Sequence, residues 1–352
     1  MAVERLDSTF ARIAARAAEL DREPRFPAEN FTELAAVGAL VPPLDGLTGE
    51  AWLIRAVARA DASTARILDG HLNGTERLTL TGPEPLRSVE LAQIREGRLL
   101  LGVWGADPAA GEGPPARLAH EDDQLVLRGV KTFCSGAGGV QRALVLAADH
   151  DGSRRLVYLD ATSSRVSIDR GWYRASGLRA SESHRVEFHD APVLALLGGS
   201  GELSREPYFS RDAIRTSATW AGLADGIMAE TVGALDPERT DAVQAHLLGR
   251  MRVARSTIDR WLEHTTASLD QPEEPRPEPL DPAILAVECR VALYDCARLI
   301  SSQAARLCGS RALIGASTLD RARRDLDLFL LQHRLDSKIA QLGTDMLDRE
   351  QP

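Results

Sequence analysis

The hydrophobic period of the chain changes twice. From the start to about residue 97, apolar positions recur three and four apart: Leu6, Phe10, Ile13 and Ala14, then Phe31, Leu34, Ala35 and Leu40. That spacing gathers them on one helical face and predicts amphipathic helices. The stretch DASTARILDGHLNGTERL predicts a further helix with Asp61 or Ser63 as its N-cap, and Pro83 and Pro85 mark helix ends. From about Leu99 to Val193 the segments LLLGVWG, QLVLRGVKTFC, ALVLAA, RLVYLD, RVSID and HRVEFHDAPV are short, apolar and β-branched, with no helical pattern between them. Strands in close succession predict an antiparallel sandwich or barrel. Helical period returns after Gly201 and runs to the end, interrupted by EPRPEPLDP, a Pro- and Glu-rich connection between two long helices. The order predicts three domains, helical at 1–97, β at 98–197 and helical again at 198–352.

Composition narrows the function. With 42 Lys and Arg against 51 Asp and Glu, the chain is net acidic and has no basic cluster, which argues against a nucleic-acid surface. No apolar run approaches the roughly 20 residues that span a bilayer, and the N-terminus has no signal-peptide core, so a cytoplasmic protein without a membrane partner is expected. The four cysteines, Cys134, Cys289, Cys296 and Cys308, show no CxxC spacing; neither a disulfide framework nor a metal site is expected.

The stretch KTFCSGAGG, residues 131–139, carries the most chemistry. Its glycines lead into VQRALVLAAD, another strand, where a dinucleotide-binding turn would open a helix, and no Gly-Lys-Ser/Thr follows as a phosphate loop requires. On a strand, Phe133 and Ser135 share a face, since side chains alternate with a period of two. A ring beside a hydroxyl suits a large planar ligand.

The chain resembles the acyl-CoA dehydrogenase superfamily of flavoproteins. LLLGVWGADPAAGEG is similar to the family's first β-domain signature, with Ala106-Asp107-Pro108 where the family has Thr-Glu-Pro. LVLRGVKTFCSGAG resembles its Gly-x-Lys-x-Trp-x-Ser/Thr pattern, with Phe133 in place of Trp, and the segment from Gly177 to Val193 resembles the end of that domain. Arg324-Asp325 resembles the late Arg-Asp pair. The resemblance implies an N-terminal helical domain, a central antiparallel β-domain and a C-terminal four-helix bundle, with flavin between the last two and assembly into a homodimer or homotetramer. It implies contacts to the flavin from Val103, Trp104, Gly105 and Ala106, stacking near Phe133, and Ser135 at the reactive N5 edge. Gln244 and Arg250 are further candidate cofactor contacts.

The chain departs from the dehydrogenases at the base. Such an enzyme needs a carboxylate within reach of a weakly acidic C–H. The family's usual location falls at His333 and its alternative near Thr216, neither acidic; Asp212 and Asp225 are the nearby substitutes. A His at 333 with Ser135 resembles instead the flavin-dependent monooxygenases, which use reduced flavin and oxygen, with the flavin delivered by a separate reductase. His333 and Ser135 are therefore the catalytic candidates. Segments that grip the adenine half of FAD are reduced here, with Gly309 retained from one of them, so FMN is an expected alternative to FAD. An acyl-CoA dehydrogenase with a relocated base and a non-catalytic homologue stay open as other readings. The substrate is a small molecule or an acyl thioester.

Overall fold

The computed structural model describes residues 2–122, 124–270, 281–314, 317–332 and 334–349. The chain opens with five helices, α1 (Ala2–Arg22), α2 (Ala28–Ala36), α3 (Gly46–Ala60), α4 (Ala62–Thr81) and α5 (Leu86–Arg95). Of the two candidate caps of α4, Asp61 does the work: its carboxylate accepts the Thr64 N–H at 2.8 Å. Seven strands follow, β1 (Leu101–Trp104), β2 (Arg117–Glu121), β3 (Gln124–Cys134), β4 (Arg142–Ala148), β5 (Arg154–Asp160), β6 (Val166–Asp169) and β7 (His184–Leu197). Five of them, β4-β2-β3-β7-β5, close into a ring through the β4–β5 pairing, with β1 and β6 appended. Closure removes the strand edges that invite aggregation.

The sheet is mixed, which corrects the wholly antiparallel expectation. β1 runs parallel to β4, with Leu101 opposite Arg142, and β2 meets β4 in parallel at Arg117 and Ala148. Parallel neighbours need a long connection, and the β2–β3 hairpin supplies it by lying between β1 and β4 in sequence. The sequence pattern also passes over β2. Only Leu118 of its five residues is buried, so the strand has no apolar alternation to read.

Five helices follow among the described residues, α6 (Tyr208–Gly233), α7 (Ala242–Asp270), α8 (Pro282–Cys308), α9 (Thr318–Leu331) and α10 (Leu335–Arg349). The expected four-helix count is not reproduced among the described residues. α3, from the first block, packs along α6, and Leu47 and Ala62 join the core of Trp220, Met251, Leu293 and Phe329. Gly222 permits this crossing, because a Cβ there would overlap the Arg55 carbonyl of α3. Of the Pro- and Glu-rich connection before α8, residues up to 280 lie outside the described residues; Asp281 caps α8 by accepting the Ala283 N–H at 2.8 Å.

The seam between barrel and late helices is polar and tight. Asp325 of α9, buried, accepts the Leu178 N–H at 2.6 Å, and the neighbouring Arg324 guanidinium pairs with Asp21 of α1 at 2.6 Å and donates to the Ser176 carbonyl. Gly177 lies against the α9 backbone, where a Cβ would overlap the Arg324 carbonyl. Burial pushes the Asp325 carboxyl up to about 7, outweighing the favourable Leu178 N–H. The folded protein therefore holds this proton after the unfolded chain has released it. The associated stability is full below the unfolded value and is lost as pH rises through about 7. Asp325→Asn keeps the acceptor oxygen without the titration. Its melting temperature should fall less between pH 5 and pH 8 than that of the wild type; parallel wild-type and variant profiles over that range would refute the assignment.

Candidate functional site

Among the described residues β1 pairs only with β4, which leaves its second edge without a strand partner there. Along that edge Val103, Gly105 and Ala106 line a cavity of about 430 Å³ that Phe133 and Ser135 also line. The opposite wall is Leu328, Leu331 and Gln332 from the end of α9, with Arg334 just beyond and Arg66 of α4. Alternation along β1 turns Trp104 the other way. Its ring is buried in the barrel core near Phe188, and its indole N–H donates to the Ser135 carbonyl at 3.1 Å. The sequence reading groups Trp104 with the cavity-lining residues; the structure puts its ring behind them.

Phe133 and Ser135 reach the cavity by a route that simple alternation does not describe. The β3–β7 ladder slips between Lys131 and Cys134, β3 ends at Cys134, and Phe133 has a φ of +52°. A left-handed aromatic residue costs about 1 kcal/mol or more. The surroundings hold it: the Trp172 ring meets Phe133 edge-on at 5.0 Å, and the Trp172 indole N–H is anchored on Glu112 at 2.9 Å. Ser135 is itself fixed from behind, its hydroxyl 2.9 Å from that of Ser183, which is 2.8 Å from Ser181. A hydroxyl oriented through two others points in a defined direction rather than rotating freely.

Lys131 anchors the loop that carries Gly105 and Ala106. Fully buried, its ammonium donates to the Gly105 carbonyl at 3.0 Å and to Asp107 at 2.7 Å, while the second Asp107 oxygen accepts from Arg154 at 2.9 Å. Burial lowers the Lys131 pKa, and Asp107 opposes that shift. The loop from Gly105 to Asp107, of which Gly105 and Ala106 line the cavity, is thereby clamped.

The cavity also borders buried charge. Arg66 pairs with Asp69 at 2.7 Å, and burial pushes the Asp69 carboxyl up to about 6 against the pull of that guanidinium. Asp212, half-buried on α6, is raised by burial too. Thr216, where the family resemblance sends the search for an acid, instead donates its hydroxyl to Asp69 at 3.3 Å. The acid beside this position comes from α4, and an Arg-x-x-Asp pair on an otherwise apolar helix face is the sequence signal that marks it. Asp225 is committed elsewhere, to Arg55 at 2.7 Å and Arg255 at 3.0 Å.

Gln244 and Arg250 lie on the first turns of α7 and do not line this cavity. Gln244 forms a reciprocal cap with Asp241: its side-chain oxygen accepts the Asp241 N–H at 3.0 Å, and the Asp241 carboxylate accepts the Gln244 N–H at 2.8 Å. Arg250 is exposed. His333 lies outside the described residues, between two residues that line the cavity.

No family model matches the chain. It is 26% identical over 246 residues to an acryloyl-CoA reductase (NADH) of Anaerotignum propionicum, covering 64% of this chain and 62% of that protein. It is 27% identical over 182 residues to a dibenzothiophene monooxygenase of Rhodococcus erythropolis, covering 47% of this chain and 42% of that one. Both matches span less than two thirds of the relatives' own length. Among solved structures, FMN-bound TdsC from Paenibacillus sp. A11-2 superposes with a TM-score of 0.86 at 18% identity, over 100% of this chain and 98% of that one.

The clamp by Lys131 gives a direct test of how the loop is held. Lys131→Met should lower the unfolding free energy by about 2 kcal/mol, less than a fully buried pair would lose because Asp107 is partly solvated. Urea unfolding measures it; an unchanged midpoint would show that the ion pair does not hold the loop.

Proposed function

We propose that this chain, which has the acyl-CoA dehydrogenase-like fold, is a flavin-dependent oxidoreductase that uses reduced flavin and O2 to oxygenate a small molecule. The observation that carries this reading is the cavity between the free edge of β1 and the end of α9, with the Ser135 hydroxyl oriented into its wall. Its fit to a flavin rests on three features. The volume of about 430 Å³ is within the range of small-molecule sites. The β1 edge and Phe133 offer a flat wall for a planar ring. Arg66 and Arg334 supply positive charge for an anionic cofactor. FMN suits these residues better than FAD, because Gln244 is occupied as a helix cap and the family's adenine-side segments are reduced.

Reduced flavin, when bound, supplies the two electrons that send one oxygen atom of O2 to the substrate and the other to water. The protein's share is positioning and proton handling. Ser135, held by Ser183 and Ser181, would donate a directed hydrogen bond at the ring edge. His333, flanked by two cavity-lining residues, would move the proton, an imidazole being suited to acid and base work near neutrality. Phe133 and the Leu328–Leu331 face would exclude water from the reacting atoms. The blocks 1–97, 98–197 and 198–352 would act as domains. A homodimer or homotetramer, a separate flavin reductase as partner, and a cytoplasmic location complete the reading; among the described residues no helix is long and apolar enough to cross a membrane.

A relocated-base dehydrogenase is the second reading, favoured by one observation. Asp69, held near a pKa of about 6 against Thr216, is an acid poised to take a proton close to the cavity. Anaerobic bleaching of bound flavin by an acyl-CoA would support it.

The leading reading is tested by titrating the flavin-free protein with FMN and FAD and following flavin fluorescence. Saturable FMN binding, tighter than FAD and weakened about tenfold in Phe133→Ala, is expected. With reduced FMN and O2, Ser135→Ala and His333→Ala should release more hydrogen peroxide per O2 consumed than the wild type. Absence of binding by either flavin would overturn the proposal.

A further inference from the structure

The Ser135 hydroxyl is the near end of a relay of hydroxyls behind the slot that the β1 edge and α9 enclose. Ser135 meets Ser183 at 2.9 Å and Ser183 meets Ser181 at 2.8 Å, and in both contacts either oxygen can be the donor. Ser181 and Ser183 also hydrogen-bond the hydroxyl of Tyr173. Backbone bonds hold the serine-bearing segments together. The Gly136 N–H donates to the Ser181 carbonyl at 2.8 Å, and the Ala137 N–H to the Glu182 carbonyl at 3.2 Å. Leu178 and Glu182, on either side of the turn Arg179–Ser181, have φ of +50° and +47°. Left-handed residues other than glycine carry a sustained cost, and such strain gathers at functional sites.

The three serine hydroxyls carry three hydrogens, and their two mutual contacts take up two of them. When Ser135 points its hydrogen into the slot, that hydrogen is the third, and the relay behind it is satisfied. When Ser135 points its hydrogen back at Ser183, the third falls to Ser181 or Ser183. Those residues are 0% and 2% exposed, so water does not take it. Tyr173 does. Its own hydrogen goes to the Gly177 or Leu178 carbonyl, each at 3.4 Å, which leaves the phenol oxygen able to accept. Burial raises the Tyr173 pKa, so the phenol keeps that hydrogen at neutral pH. With the Tyr173 oxygen in place both directions are satisfied; without it only the outward one is.

We propose that Tyr173 is a positioning residue that lets the Ser135 hydroxyl reverse, so that Ser135 can either donate to or accept from the edge of a bound flavin. The inference rests on the flavin reading above. The two redox forms of a flavin need both directions, since N5 is an acceptor in the oxidised ring and carries a hydrogen in the reduced one. Outward-pointing Ser135 serves the first and inward-pointing Ser135 the second. The serine hydroxyls turn, and no proton leaves the relay.

The test compares the two redox forms of bound FMN, a readout independent of turnover. Tyr173→Phe removes one oxygen and keeps the ring that meets His184 edge-on at 6.3 Å. It strands a buried hydroxyl hydrogen only when reduced FMN is bound. Affinity for reduced FMN should therefore fall about tenfold, while that for oxidised FMN stays within about twofold. The midpoint potential of bound FMN, measured anaerobically against a reference dye, should drop by about 30 mV for this two-electron couple. Ser183→Ala, which cuts Ser135 off from Tyr173, should lower the potential in the same sense, and adding Tyr173→Phe to it should change nothing further. Equal loss of affinity for both redox forms, an unchanged potential in Tyr173→Phe, or a further drop in the double variant would overturn the proposal while leaving the flavin reading in place. A wild type that binds no flavin would overturn both.

Discussion

The hydrogen bond from the Leu178 N–H to Asp325 is the constraint on which the arrangement depends. It fixes α9 against the connection between β6 and β7, and Arg324 beside it ties the same helix to α1 through Asp21. Three blocks of the sequence therefore meet within two consecutive residues. Gly177 lets the backbones approach closely at that point, so the distance between barrel and helix is set there and not at the slot. A few residues along α9, Leu328 and Leu331 stand off from the barrel and leave an open volume. Tight contact at one end of the seam is what allows a stable gap at the other.

The barrel side of the gap depends on a second departure from regularity. A continuous β3 would present Lys131 and Phe133 on one face. The slip in the ladder separates them: Lys131 goes inward to grip the Gly105 carbonyl, and Phe133 goes outward against Trp172. Strain at Phe133 is sustained because Glu112, Trp172 and the β7 register over-determine it. Backbone strain placed beside a cavity and supported on all sides is characteristic of a binding surface.

The helical and β blocks were legible in the sequence because their periods differ and because each strand with one buried face advertises it. β2 was not, since one buried leucine gives no period. The parallel pairing of β1 with β4 was not legible either, because strand direction depends on which distant segment lies alongside, and alternation carries no such information. Within the site, Val103, Gly105, Ala106, Phe133 and Ser135 could be found because they fall in two short motifs. Arg66, Leu328 and Gln332 could not, since the seam that brings them together joins residues far apart in the chain. Gln244 shows why a polar residue at a helix start is ambiguous in sequence: it is as well explained by capping, and the structure shows that contact with Asp241.

The helical core behind the slot holds more charge than its composition requires, and the pairing pattern explains why it survives. Arg215, fully buried on α6, is met by Glu50 of α3 and, at 3.0 Å, by Glu76 of α4; Arg211 one turn earlier pairs with Glu76 at 2.7 Å and with Asp270 of α7 at 2.9 Å. Buried pairs of this kind add little net stability over hydrocarbon, because desolvation offsets most of the attraction. Their geometry, however, is unforgiving. Sliding α6 by one turn in either direction would carry one of these two arginines away from its carboxylates, at a cost of several kcal/mol that a leucine interface would not impose. The network therefore fixes the register of α6 against α3, α4 and α7, and α6 is the helix that carries Thr216 toward the slot. Charge in this core specifies position.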